Sequence, residues 1–232
     1  MSNESISIDE LTKKRTPTQL KDWVMQEMEH LKLTEEGYKK LSLHEGLAKP
    51  LMEEVYYLAE FGIRKYGNTD QILIQPIIGP QNYDAVITDL RIEPPIQSYV
   101  EVTQSHEGED EYLRSLVLYE KGIVPLRGPV IKKGTKKKGR QIDIPYVATD
   151  VTQNVRDELT RIVEAAKRKT GKDYPCDTSL LIPFDDGLHF KNVINDTELD
   201  AFITKHVLKL DLRFSTVYLM GWYSVFREFS LS

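Results

Sequence analysis

The sequence lacks the features that mark several classes of protein. Its 232 residues include one cysteine, Cys176, which excludes a disulfide framework and a cysteine-rich zinc site. No window holds 18 consecutive apolar residues, so we expect no membrane-spanning helix. The first residues, MSNESISIDELTKKR, lack the apolar run of a signal peptide. We therefore expect a soluble cytoplasmic protein that does not bind membranes.

The usual catalytic signatures are also missing. The sequence has no G-x-x-x-x-G-K-[ST] or G-x-G-x-x-G loop, no G-x-S-x-G nucleophile motif and no H-E-x-x-H zinc motif. The five histidines show no metal-ligand spacing. Because the motifs that bind nucleotide cofactors are absent, we expect no small-molecule cofactor.

Positive charge is concentrated in one segment of an otherwise acidic chain. The net charge is −5, and removing one group of six basic residues leaves the rest of the chain at −11. These six are Lys132, Lys133, Lys136, Lys137, Lys138 and Arg140. Lysine suits sequence-independent contact with phosphates, so the segment predicts contact with the backbone of a nucleic acid. The alternative is a solvated hairpin tip or loop.

The hydrophobic pattern predicts an α/β fold with a mixed central sheet flanked by helices. Apolar residues at helical spacing alternate with short runs rich in β-branched and aromatic residues. The predicted strands are 72–78, 83–90, 98–104, 178–184 and 215–222, and the better-marked helices begin near residues 17, 50, 109, 150 and 196. We predict a flexible tail over 1–15, a helical extension over 16–48 and one α/β domain over 49–232, with a basic hairpin at 130–147.

Two carboxylates in this pattern carry the chemistry. Asp84 opens one apolar strand, and Glu101 lies between two valines inside the next. Burying such a carboxylate is unfavourable unless a cation compensates it. Two carboxylates on adjacent strands also repel each other, unless a divalent ion lies between them, and oxygen ligands of this kind suit Mg²⁺. The alternative is structural, with Asp84 capping the start of its strand and Glu101 paired with a nearby arginine such as Arg114.

The order of the elements around these carboxylates resembles the PD-(D/E)XK nuclease superfamily, which has the restriction-endonuclease-like fold. The resemblance covers about residues 50–185 and follows the order helix, three strands, helix, strand. It implies that Asp84 and Glu101 bind a metal with the backbone carbonyl of Val102, and that Glu54 of the preceding helix is a further candidate ligand.

The family places a catalytic lysine two residues after the glutamate, and this sequence has Thr103 there. Alternation along the strand places Thr103 and Ser105 on the face of Glu101 and Gln104 on the opposite face. We count Thr103 and Gln104 among the candidate catalytic residues with Asp84 and Glu101. Gln104, Lys65 and Arg114 are candidates to replace the missing lysine.

Three functions remain open from the sequence. The first is a Mg²⁺-dependent nuclease, or a nuclease-like protein, that acts on DNA phosphodiester bonds. The second is a binding or regulatory protein that has the nuclease fold without its activity, which Thr103 favours. The third is a small-molecule enzyme whose site has no recognised motif. We expect DNA as the partner, and a homodimer is left open.

Overall fold

The computed structural model describes residues 6–106, 108–125, 128–135, 139–148, 150–187 and 190–231. In these residues the chain forms a six-stranded mixed sheet with helices on both faces, which confirms the predicted α/β class. The strands are β1 (Ile72–Pro76), β2 (Ala85–Asp89), β3 (Ile96–Val102), β4 (Ile131–Thr135), β5 (Gly139–Asp143), β6 (Thr178–Phe184), β7 (Thr216–Gly221) and β8 (Phe226–Ser230). Strands β4 and β5 form the predicted hairpin, which is a separate two-stranded sheet.

Helices precede the sheet and connect its strands. The α-helices are α1 (Ile8–Leu11), α2 (Pro17–Leu31), α3 (Glu35–Leu43), α4 (Ala48–Pro50), α5 (Tyr56–Tyr66), α6 (Glu109–Lys121), α7 (Val151–Lys167), α8 (Phe190–Val193) and α9 (Asp196–His206). A π-helical turn, Leu51–Val55, joins α4 to α5. None of the described helices is both long and apolar enough to cross a membrane.

The parallel strands lie at the centre of the sheet. The strand order is β1-β2-β3-β6-β7-β8, with β3, β6 and β7 parallel and the outer pairs antiparallel. Helix α6, the hairpin and α7 connect β3 to β6. The carboxyl ends of β3, β6 and β7 therefore meet at one edge of the sheet.

Two hydrophobic layers cover the sheet and fix which way each strand residue points. Val100 and Val102 pack with α2 and α5 on one face, whereas Leu180 packs with α7 and α9 on the other. Glu101 is the register partner of Leu180 across β3 and β6. Because side chains alternate along a strand, Glu101 lies on the α7 face, between two valines that face α5.

The N-terminal residues are part of this core, which corrects two predictions about the domains. Residues 6–15 are not a flexible tail: Leu11 is fully buried, and the backbone of Arg15 exchanges hydrogen bonds of 3.0 and 2.8 Å with Ile74 of β1. The segment 16–48 is not a separate extension either, since Leu20 and Val24 of α2 lie in the same hydrophobic cluster as the sheet. Helix α2 packs against α3, α5 and β1, so residues 6–48 belong to the same domain as the sheet.

Candidate functional site

Asp84 lies in the bend immediately before β2 and faces the backbone of β3. Its carboxylate oxygen Oδ2 accepts a hydrogen bond of 2.7 Å from the N–H of Val102. Its own N–H donates to the carbonyl of Val100 at 2.8 Å. These two bonds hold the Asp84 carboxylate beside the strand residue that follows Glu101, as the predicted pairing of the two strands requires.

Glu101 is buried and forms an ion pair with Lys169. Only 9% of the Glu101 side chain and 16% of the Lys169 side chain are exposed to solvent. Lys169 lies close to Glu101 because α7 crosses this face of the sheet and Lys169 follows two residues after the end of that helix. The structural alternative of the sequence analysis named Arg114 as the partner, and that choice is wrong, because Arg114 donates to the carbonyl of Gly128 at 2.5 Å.

The carboxylates of Asp84, Glu101 and Glu54 repel one another. Burial, with repulsion from Glu101 and Glu54, raises the pKa of Asp84 to about 7, and the Val102 N–H and Lys169 oppose this rise. Burial, followed by repulsion from Glu53 and Glu101, likewise raises the pKa of Glu54. One ammonium group therefore faces three carboxylates, and the repulsion that remains favours a further cation.

Glu54 enters this cluster from the π-helical turn. In that turn the N–H of Tyr56 donates to the carbonyl of Leu51, five residues earlier. The neighbouring Glu53 points its side chain elsewhere, toward Nδ1 of His44 at 3.2 Å. Glu54 thus interacts electrostatically with Asp84 and Glu101, and its role as a metal ligand stays a prediction.

The two residues after Val102 are placed differently from each other. Thr103 is buried, and its N–H donates to the carbonyl of Leu181 at 2.9 Å. Gln104 lies on the opposite face, where its amide donates to the carbonyl of Glu53 at 2.8 Å. Since its amide is bonded to the helix, Gln104 does not stand in for the missing lysine. Lys65 is also elsewhere, in an ion pair of 2.5 Å with Glu228.

Tyr174, like Lys169, is a residue of the site that the sequence did not predict. Its ring packs against Phe214 with the centroids 4.2 Å apart, and its hydroxyl donates to the carbonyl of Lys169 at 3.5 Å. Burial, together with the negative charges of Glu101 and Asp84, raises its pKa well above the usual range. Tyr174 is therefore a neutral hydrogen-bond donor beside these two carboxylates.

The donors present fit a hard cation such as Mg²⁺ in their chemistry. All are oxygens, from the carboxylates of Asp84, Glu101 and Glu54. The carbonyl of Val102 points to the same side of β3 as its N–H, which faces Asp84. Within the described part of the chain, however, no group of three or more His, Cys, Asp or Glu side chains has the arrangement of a metal site. Binding a metal would thus require these side chains to close around it.

Comparisons with known proteins do not assign the chain to a family. Comparison of the chain with family models, curated proteins and solved structures finds no match. The function is therefore inferred from the geometry and chemistry of the site.

A cleft of about 550 Å³ opens beside the cluster on the α5 face of the sheet. Its walls come from α3, the π-helical turn, the end of β3 and the start of α6, and include Lys49, Glu53, Gln104, His106 and Tyr112. Glu53 and Gln104 line this cleft, whereas the carboxylates of Asp84, Glu101 and Glu54 are not part of its walls.

Lys132 links the basic hairpin to helix α6, whereas Lys133 makes a contact within the hairpin. Lys132 forms ion pairs of 2.9 Å with Glu109 and 2.7 Å with Asp110 at the start of α6, and Lys133 lies 3.4 Å from Asp143. The backbone of Arg140 pairs with Gly134 in the hairpin. Lys136, Lys137 and Lys138 lie outside the described residues. The structure therefore gives Lys132 a structural role, whereas phosphate contact by this segment stays a prediction.

Proposed function

We propose that the protein is a Mg²⁺-dependent nuclease that acts on DNA phosphodiester bonds. The observation that carries the proposal is the group formed by buried Glu101, half-buried Asp84 and Glu54, and Lys169, at the end of two adjacent strands. This set has the residue types of the PD-(D/E)XK site, with the lysine contributed by the end of α7 in place of the strand position held by Thr103. A bound Mg²⁺ would polarise a phosphoryl oxygen and make a water molecule more acidic.

The protein's own residues have distinct roles in this proposal. Asp84 and Glu101 hold the cation, and the Val102 N–H fixes the rotamer of Asp84. Lys169 neutralises Glu101 while the site is empty of substrate, and stabilises negative charge on the phosphate when substrate enters. Tyr174 keeps its proton at neutral pH and donates a hydrogen bond at the rim of the cluster.

DNA would reach the site with the help of the basic hairpin. The acidic body of the protein repels a polyanion, so an approach to the carboxylates needs a compensating positive surface. Lys133, Lys136, Lys137, Lys138 and Arg140 supply such charge. The glycines in this segment, Gly134 and Gly139, allow it to adapt to a groove.

One observation favours the alternative, a nuclease-fold protein that binds or regulates without cleaving. Lys169 already neutralises Glu101, and Thr103 occupies the strand position of the usual lysine. Because the ammonium group of Lys169 balances the charge of Glu101, the protein can fold without a metal at this position. Under this alternative the protein binds DNA, but Mn²⁺ and Mg²⁺ do not bind at Asp84 and Glu101.

Titration calorimetry with Mn²⁺ tests the proposal. We expect one site in the unmodified protein and at least a tenfold loss of affinity in Glu101→Gln. Glu158→Gln is the matched control, since Glu158 is also a buried carboxylate paired with a basic residue, Arg161, but it is a partner of Ser105 rather than of Asp84. Equal Mn²⁺ affinity in both variants, or no binding by the unmodified protein, would overturn the proposal.

A further inference from the structure

The π-helical turn Leu51–Val55 is an unusual local structure directly behind the cluster. A π turn contains one residue more than an α-helical turn, and it is seen mostly as a single turn within a helix, often at functional sites. The extra residue rotates the side chains that follow by about 100° relative to a regular helix. In this turn the side chain of Glu53 lies 3.2 Å from Nδ1 of His44, whereas Glu54 is close enough to Asp84 and Glu101 for the three carboxylates to repel one another.

Gln104 connects this turn to the strand that carries Glu101. Its side-chain amide donates to the carbonyl of Glu53 at 2.8 Å, across 51 residues of sequence. The carbonyl of Gln104 in turn accepts a bond of 2.8 Å from Arg168, the residue before Lys169. One residue thus contacts both the segment that carries Glu54 and the segment that carries Lys169.

We infer that Gln104 is a positioning residue: its amide holds the π-helical turn in the geometry that directs the carboxylate of Glu54 toward Asp84 and Glu101. The expected effect of Gln104 on metal binding rests on the proposed function. Its expected effect on the π-helical turn does not. The side chain of Gln104 donates to the backbone carbonyl of Glu53 rather than to a carboxylate. It therefore acts on the site through Glu54. The side chain of Glu53 contacts His44, and its backbone carbonyl accepts the hydrogen bond from Gln104.

The structural part is tested by amide hydrogen exchange in Gln104→Met, which keeps the length of the side chain and removes the donor. We expect the amides of residues 53–57 to exchange at least tenfold faster than in the unmodified protein. Ser105→Ala is the matched control: it also removes one side-chain hydrogen bond at the end of β3, but that bond goes to Glu158 on the other face. Exchange within twofold of the unmodified protein in Gln104→Met, or an equal increase in Ser105→Ala, would overturn the inference. If Gln104→Met fails to fold, Gln104→Glu, which keeps the shape without the donor, replaces it.

A double-mutant cycle on Mn²⁺ affinity tests the coupling to Glu54. We expect Gln104→Met to weaken Mn²⁺ binding about tenfold, as removal of a residue behind a ligand commonly does. In a Glu54→Gln background the same change should have no further effect, because the two residues act through one contact. An equal loss in both backgrounds would show that Gln104 does not act through Glu54. If the unmodified protein binds no Mn²⁺, the proposed function fails, while hydrogen exchange still decides whether Gln104 holds the turn.

Discussion

At the scale of single residues, the ionisation of Asp84 links the site to the stability of the protein. Its pKa of about 7 in the folded protein lies above the ordinary value of 3.8, mainly because of burial. The unfolded chain therefore releases this proton at a lower pH than the folded protein does. The resulting loss of stability begins as the pH rises through about 4 and is complete above 7.

Asp84→Asn should remove the loss of stability between about pH 4 and pH 7, because the side chain of asparagine does not ionise. We expect the free energy of unfolding in chelator to fall by about 4 kcal/mol more in the unmodified protein than in the variant between pH 4 and pH 8, since the pKa shift is about three units. Urea unfolding at several pH values measures it. Asp89→Asn, at the other end of β2, is the control with the opposite sign, because an ion pair with Arg91 lowers the pKa of Asp89. Identical pH profiles for Asp84→Asn and the unmodified protein would contradict the account.

The ion pair between Glu101 and Lys169 gives a second prediction at this scale. Glu101→Gln leaves a buried ammonium without its partner, so we expect the free energy of unfolding to fall by about 3 kcal/mol in chelator. Lys169→Met should cost a similar amount, because the carboxylates of Glu101, Asp84 and Glu54 then lose their cation. The double variant should regain most of this loss, and melting curves of the three variants decide it. Fully additive losses would show that the two side chains are not coupled.

At the scale of elements, the strands of the site were predictable and its lysine was not. Strands β1, β2, β3, β6 and β7 lie within a few residues of the predicted runs, since each is a short apolar segment bounded by glycine, proline or polar residues. The sequence analysis did not predict β8, because its residues FREFS alternate at a solvent-exposed edge and carry charge. Lys169 lies 68 residues from Glu101 in the sequence, and a basic residue after a helix is common because it interacts favourably with the helix dipole, so the sequence does not single it out.

The basic hairpin is the element that should govern affinity for DNA. Replacing Lys132, Lys133, Lys136, Lys137 and Lys138 by alanine removes five of the six charges. Lys132 is held in ion pairs, so if the other five contact phosphates, the slope of log affinity against log salt is about −4.5, and the variant, which keeps only Arg140 of these, should have a slope near −1. Binding to a DNA duplex at several salt concentrations measures it.

A control for this variant replaces an equal number of exposed lysines elsewhere. These are Lys14, Lys39, Lys191, Lys205 and Lys209. We expect the control to keep the slope of the unmodified protein. An unchanged slope in the hairpin variant would show that the segment is solvated and does not contact phosphate.

At the scale of the whole molecule, the N-terminal segment belongs to the folded domain. Removal of residues 1–15 should lower the free energy of unfolding by at least about 3 kcal/mol, because the fully buried Leu11 and the backbone bonds of Arg15 to β1 are lost. Removal of residues 1–5 alone leaves these contacts and is the control. Equal urea midpoints for the two truncations would restore the prediction of a flexible tail, which composition favours because residues 1–15 are polar and lack periodicity.

The central claim concerns what the whole protein does, and cleavage of DNA tests it most directly. Plasmid and single-stranded DNA are incubated with the protein and Mg²⁺ or Mn²⁺, and the unmodified protein is compared with Lys169→Met and Glu158→Gln. The account predicts metal-dependent cleavage by the unmodified protein and by Glu158→Gln, and a loss of at least a hundredfold in Lys169→Met. DNA that stays intact with the unmodified protein and either metal, or cleavage that persists unchanged in Lys169→Met, would contradict it.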